Sequence, residues 1–283
     1  MELLQYDFMQ RALVAGLITA LVCPVIGIFV VVRRQSLIGD GLGHIAFAGV
    51  TGGYLVGLYP VVAAAALTVF GSVLIEFIRR RHSEYADMGL AVIFYAGAAL
   101  AVIFGTLVRI PSSGMLSFLF GSIMTVTYTD LALIMINAVL VMTTVYVLFD
   151  KLVITAFDED VAEVSGVNTF WVNMFFSIMT ALVVVTGMAV VGILLVSALM
   201  IIPVAAVQGL KLGFRETMAW AVTFSVVSVL TGIILSFHLD IAPGGTIVMS
   251  AVSLYIFSLI WQSVSQLRSR AKGNTAALPQ DGR

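Results

Sequence analysis

Stretches of about twenty consecutive apolar residues recur along this chain, each long enough to cross a hydrocarbon layer roughly 30 Å thick. They are rich in Leu, Val, Ile, Ala, Phe and Gly without strict alternation. That pattern favours helices over barrel strands, because a helix satisfies its backbone polar groups within one segment. Spans are predicted at 12–32, 37–58, 61–78, 89–108, 130–149, 171–190, 192–208, 218–236 and 244–263. The expected fold is an all-α, polytopic membrane helix bundle with eight or nine transmembrane helices, since 171–208 reads either as two crossings or as one crossing plus a shorter re-entrant or tilted helix. Composition agrees: 61% of residues are hydrophobic and 10% charged, against about 25% charged in an ordinary soluble domain. Residues 1–266 read as one transmembrane domain, and 267–283 (RSRAKGNTAALPQDGR from residue 268) as a disordered cytoplasmic tail.

Charge placement orients the bundle. Arg33-Arg34, Arg79-Arg80-Arg81, Lys151, Lys211 with Arg215, and Arg268, Arg270 and Lys272 fall between or after spans. The positive-inside rule places those segments in the cytoplasm. The alternating connections, Leu58-Tyr59-Pro60, 109–129 apart from Arg109, and 237–243, are poor in Lys and Arg. Nine crossings put the N-terminus outside, and eight put it inside. Glu2, Asp7 and Arg11 precede a first span too long for a signal-peptide core of about 7–15 residues, so that span reads as retained. A net charge of −1 offers nothing to a nucleic-acid partner, and the one cysteine, Cys23, excludes an intrachain disulfide.

The second predicted span, in SLIGDGLGHIAFAGVTGGYLVG, is unlike the others. It holds Asp40 and His44 four residues apart, which on a helix share one face. Ionisable groups inside a span are costly and point by default to an ion or substrate path. A carboxylate and an imidazole both suit a borderline divalent ion such as Zn²⁺ or Mn²⁺. Two ligands are too few for a tetrahedral site, but a twofold dimer with this helix near its axis would supply four. The plainer alternative makes Asp40 the cap of a helix starting at Gly41, and His44 a satisfied packing residue. Gly49, Gly53 and Gly57 are spaced by four, as are Gly39 and Gly43. Such rows allow close backbone approach, either to another helix of the same chain or at a dimer seam.

RRQSLIGDGLGHIAFAGV resembles the signature of the integral membrane subunits of metal-importing ABC transporters, the group handling zinc, manganese and iron. The similarity extends through YDFMQRAL (6–13), FDEDVAEVSGVN (157–168), GILLVSALMIIPVAAV (192–207) and LDIAPGGTIV (239–248). The opening and the RRQSLIGD run look most like zinc permeases of Gram-positive bacteria. The resemblance implies a multi-pass protein of the bacterial plasma membrane that works as a homodimer. Its further partners would be two cytoplasmic ATPase subunits and an extracytoplasmic metal-binding protein. No cofactor would be permanently bound, and the metal, zinc first and manganese or iron as alternatives, would be cargo. It also implies that Asp40 and His44 contribute a metal site in the path. The family's usual small residue plus serine before the histidine is replaced here by Leu42-Gly43, which removes a hydroxyl beside the imidazole.

The chain carries no G-x-x-x-x-G-K-[ST] loop, so it does not bind ATP by that route and is expected to be a permease subunit, not an enzyme. Asp158, Glu159, Asp160 and Glu163 form an acidic cytoplasmic stretch followed by Gly166. Asp158 can cap a short helix over about 159–165 and Gly166 can end it. The family places its ATPase-coupling helix in this region. Glu76 is expected to snorkel towards Arg79 or Arg80, His82 to be solvated, and Trp171 and Trp261 to anchor at the interfaces. His238 and Asp240 form an external H-L-D that could meet the delivering protein or an arriving ion. Two other classes stand as alternatives. A gradient-driven carrier would use Asp40 as its proton site and often shows paired interrupted helices in two related halves, a repeat not evident here, and a metal-chelate permease would need a wider cavity and no direct ligands.

Overall fold

The computed structural model describes residues 6–81, 86–108, 118–122, 126–188, 191–193 and 195–276. Among them the regular structure is helical: α1 Asp7–Val32, α2 Ile38–Val56, α3 Pro60–Arg81, α4 Ala86–Val108, α5 Tyr128–Phe157, α6 Glu159–Val164, α7 Thr169–Met188, α8 Val196–Gln208, α9 Phe214–Leu239 and α10 Pro243–Ala276. Seven of these are long and apolar enough to span a membrane: α1, α3, α4 from Met88, α5, α7, α9, and α10 as far as Val264. The two departures from the nine predicted spans have different causes. Helix α2 has the length, 19 residues, but its glycines, Asp40 and His44 dilute its apolar character. Helix α8 is apolar but has only 13 residues, roughly 20 Å at 1.5 Å per residue. The chain before it is not helical at 191–193, where Gly192 takes φ 90°. Helix α10 runs through Ala276, past the boundary expected near residue 267, and residues 277–283 and His82 lie outside the described residues.

Local signals explain the element ends. Thr127 and Asp130 form a reciprocal capping box at the start of α5, with Thr127 Oγ1 accepting from Asp130 N at 3.1 Å and Asp130 Oδ2 accepting from Thr127 N at 3.0 Å. Tyr59 OH donates to the same carboxylate at 2.7 Å, tying the α2–α3 turn to α5. Gly57 closes α2 in the left-handed conformation, φ 73°, which costs a residue without Cβ little. Pro60 and Pro243 open α3 and α10, where a missing N–H is harmless.

Helices α1 and α7 are the most enclosed, and α4, α5 and α10 face outward with rows of exposed apolar side chains. Phe29, Phe149, Phe176 and Phe214 meet with ring centroids 5.1–6.3 Å apart and join α1, α5, α7 and α9 near one end of the bundle. That end carries Arg33, Arg34, Arg79, Arg80, Arg81, Lys211 and Arg215 at helix termini. At the opposite end Arg11 stacks on Tyr128 at 4.7 Å and Tyr6 lies 6.3 Å from Phe237. The start of α1 and the end of α10 are therefore at opposite ends of the bundle.

Candidate metal site

Helix α2 runs between α3, α4, α7 and α8, and glycines set its distance from each. A Cβ at Gly49 would meet the Ala63 carbonyl oxygen at 2.9 Å, and one at Gly53 would meet Ala63 Cβ at 2.7 Å. Both glycines therefore lie against α3 of the same chain. Gly57 packs against nothing: a Cβ there has open space within 4 Å, and the residue serves as the helix cap. Gly39 faces Ser197 and Gly43 faces the Ile193 carbonyl at 3.1 Å. Gly97 of α4 lies against the α2 backbone at His44 and Ile45.

Asp40 and His44 sit one helical turn apart, half-buried, close enough for their charges to interact. Helix α2 starts at Ile38 with Leu37 at its N-cap position and no side-chain cap bond. Asp40 is thus inside the first turn, not the cap of a helix beginning at Gly41. Its carboxylate accepts a hydrogen bond from Ser197 Oγ. Ser197 stands in the first turn of α8, so the positive end of that short helix adjoins the carboxylate. His44 makes an edge-on ring contact with Phe94 at 4.4 Å. Among the described residues neither imidazole nitrogen has a hydrogen-bond partner, and no three His, Cys, Asp or Glu side chains gather. One chain therefore offers a cation one carboxylate and one imidazole, beside an interrupted helix.

The basic end is built differently. Asp158 caps α6 as predicted, accepting from the backbone N of Asp160 and Val161 at 3.0 Å each. Gly166 ends the turn at φ 81°, its N–H donating to the Glu163 carbonyl at 2.9 Å. Val161 and Val164 are 55% and 92% exposed, whereas Ala162 is fully buried. Asp160 is exposed, and Glu163 turns back to accept from Thr169 Oγ1 at 2.6 Å. Glu159 Oε1 accepts from Arg79 Nη1 at 3.0 Å and Asn173 Nδ2 at 3.2 Å. Asn173 Oδ1 accepts from Arg33 Nη1 at 2.6 Å, and the Arg33 guanidinium stacks on Phe176 at 4.3 Å.

Glu76 reaches Arg79 as expected, but inside the bundle and not out towards solvent. It is 4% exposed, paired with Arg79 at 2.9 Å and bonded by Ser177 Oγ at 3.3 Å. Arg80 instead stacks on Phe170 at 4.6 Å. Burial, and then the Arg79 charge, pull the Arg33 guanidinium down to about 10, while Glu159 and Glu76 act the other way. Arg33 remains protonated at neutral pH. His238 and Asp240 are exposed at the opposite end, with Asp240 closing α9 at φ 53°.

Sequence reasoning did not single out Ser197, Asn173 or Ser177, each a lone polar residue inside an apolar run. Glu76 inside the third span carried the clearest signal, since a buried carboxylate needs a partner.

The ABC 3 transport family model matches residues 5–262. The chain is 29% identical over 259 residues to the manganese transport system membrane protein MntC of Listeria innocua, covering 92% of both chains. It is 29% identical over 254 residues to the high-affinity zinc uptake system membrane protein ZnuB of Haemophilus influenzae, covering 90% of this chain and 97% of that one. The structure of PsaBC from Streptococcus pneumoniae in complex with Fab superposes with a TM-score of 0.82 at 25% identity, over 90% of this chain and 92% of that chain.

Proposed function

The chain belongs to the ABC 3 transport family, and from that premise we propose that it forms the translocation path of an ATP-driven importer of divalent transition metal. It is a multi-pass membrane permease. The observation that carries the metal reading is the pair Asp40 and His44 on one face of α2, with Ser197 of the interrupted α8 holding the carboxylate. Zinc was expected first. Relatives named for manganese and for zinc share the same 29% identity with this chain, and carboxylate plus imidazole serves either ion, so manganese stands level with it and iron remains a candidate.

In this reading the metal is cargo and no cofactor is resident. A second copy of the chain adds a second Asp40–His44 pair, giving four ligands around one ion. Nine passes, counting α2 and α8, place the N-terminus outside and the basic end in the cytoplasm, which the segregation of Arg and Lys supports. Separate ATPase subunits supply the energy. The face of α6 with Val161, Val164 and Asp160 fits their docking surface, since exposed valines on a capped, rigid turn suit burial by a partner. An extracytoplasmic metal-binding protein would meet the opposite end, near His238 and Asp240.

The test is ATP-driven uptake into proteoliposomes holding this chain and its ATPase, with Zn²⁺, Mn²⁺ and Fe²⁺ in competition. Saturable uptake of one ion, lost in Asp40→Asn and His44→Ala, is the expected result. Uptake driven by an ion gradient without ATP, or wild-type uptake by both variants, overturns the reading.

A further inference from the structure

The acids of the α6 region divide into two sets. Asp158 is used in the cap, and Asp160 faces outward. Glu159 turns towards the bundle, where it meets two helices at once: Arg79 of α3 and Asn173 of α7. Arg79 is itself a two-sided residue. Its Nε and Nη2 are committed to Glu76 at 3.1 and 2.9 Å, and its Nη1 alone reaches Glu159.

The two sides differ in strength. The Glu76 side chain is 5% exposed, so breaking that pair strands a buried carboxylate. The Glu159 side chain is 45% exposed, and exposed pairs are weak. Two open clefts of about 610 and 330 Å³ flank the contact, and Arg33, Arg34, Arg79 and Glu159 line both. The outer contact can therefore open into water without repacking a core, while the inner one stays closed. Arg33 Nε and Nη2 have no hydrogen-bond partner among the described residues, so this guanidinium has donors to spare if Glu159 shifts towards it.

Two stiff routes run inward from this contact. Arg79 stands in the last turn of α3, whose Gly71 lies directly against Ile45, the neighbour of His44. Asn173 holds Arg33, which ends α1 and is joined by a short turn to α2 at Ile38, two residues before Asp40. Both routes end on the helix that carries the two candidate ligands.

We infer that Glu159 and Arg79 are positioning residues: they form the breakable joint through which a displacement of α6 is passed to α2 and so to Asp40 and His44. The inference rests on the transporter reading above and adds residues to it. The joint consists of one acceptor on α6 and one fork on α3, and neither touches the ion.

The test reconstitutes the full chain with its ATPase and compares wild type, Glu159→Gln, Arg79→Lys and the double variant. Lysine keeps a charge beside Glu76 but cannot serve two carboxylates as a guanidinium fork does. The readout is metal transported per ATP hydrolysed, with assembly and thermal midpoint measured in parallel. The joint predicts a fall of about tenfold in that ratio for each single variant, with intact assembly. The double variant should be no worse than the worse single one, because residues acting through one contact are non-additive. A purely structural role would lower yield and midpoint and leave the ratio at its wild-type value, and that result overturns the joint. So do additive losses. A wild-type complex without ATP-driven metal uptake overturns the transporter reading and the joint with it, whereas wild-type uptake with an unchanged ratio in both single variants overturns the joint alone.

Discussion

The α2 site and the basic end use the same residue chemistry in opposite ways. At the basic end carboxylates, guanidiniums and an amide are tied to one another: Glu76, Arg79, Glu159, Asn173 and Arg33 form a chain of bonds at 2.6–3.2 Å, with Arg33 Nε and Nη2 left over among the described residues. On α2, Asp40 has one partner among the described residues and His44 has an aromatic edge. A cross-linked network holds shape. An open pair within the bundle leaves lone pairs available to something that passes. On the proposed function, the comparison separates charges that keep the bundle together from charges that would act on a cargo.

The sharpest way to break this comparison is to remove the open lone pairs. Asp40→Asn and His44→Ala each delete one ligand while leaving the packing of α2 to its glycines. Uptake should fall to the level of empty liposomes, with yield and thermal midpoint at or above wild type. If either variant unfolds the protein instead, the pair is structural and the contrast collapses.

The converse experiment deletes a paired charge. Arg79→Ala strands Glu76, which is 4% exposed. Removing one partner of a buried pair costs about 3–5 kcal/mol, and the partial exposure of Arg79, 22% of its side chain, argues for about 3. A lowered thermal midpoint and poor yield are expected, partly restored by Glu76→Gln in the same chain, since that removes the stranded charge. An unchanged midpoint would mean that Glu76 does not depend on Arg79, and the basic end is less committed than its geometry.

Ser197→Ala sharpens the comparison at the site itself. The hydroxyl fixes the Asp40 carboxylate from α8, and outer partners of metal ligands are worth about 10–100-fold in affinity. A loss near the lower figure is expected in half-saturating metal concentration, since the ligands remain. This hydroxyl comes from a helix distant in sequence, whereas the serine that the resemblance leads one to expect beside the imidazole is replaced at Gly43. An unaltered half-saturation would show that Asp40 needs no orientation.

How much of this was legible depends on the range of the interaction. Apolar runs declare helices locally, so the all-helical bundle and most span positions could be read directly. Asp40 and His44 are visible because i and i+4 is a local relation. The cap of Asp158 and the turn at Gly166 are local as well. What could not be read is contact between helices: Ser197 with Asp40, Asn173 with Glu159, and Glu76 with Ser177 lie 157, 14 and 101 residues apart. Local pattern leaves 192–208 open between a full crossing and a shorter helix. The unwinding at Gly192 is accompanied by tertiary contacts, with the Ile193 N–H donating to the Phe118 carbonyl at 3.0 Å. Spacing alone makes Gly49, Gly53 and Gly57 one stripe, because it does not mark that the helix stops at Gly57.

The smallest expected effect tests whether α6 is a rigid element of the cross-linked end or a loose turn upon it. Asp158 Oδ1 satisfies two of the free N–H groups at the start of α6, and replacing such a cap by alanine costs about 1 kcal/mol. A six-residue helix has few bonds of its own to offset that loss. In Asp158→Ala the amides of Asp160 and Val161 should exchange with deuterium about fivefold faster, from the same 1 kcal/mol, while amides of α1 and α7 keep their wild-type rates. Glu159 and Glu163 still anchor the turn through Arg79, Asn173 and Thr169, so fraying should stop short of release. Faster exchange spreading into α3 and α7 would show that the cap supports the network instead of resting on it. In that case the order of strength argued for Arg79, inner pair strong and outer contact weak, would have to be reversed.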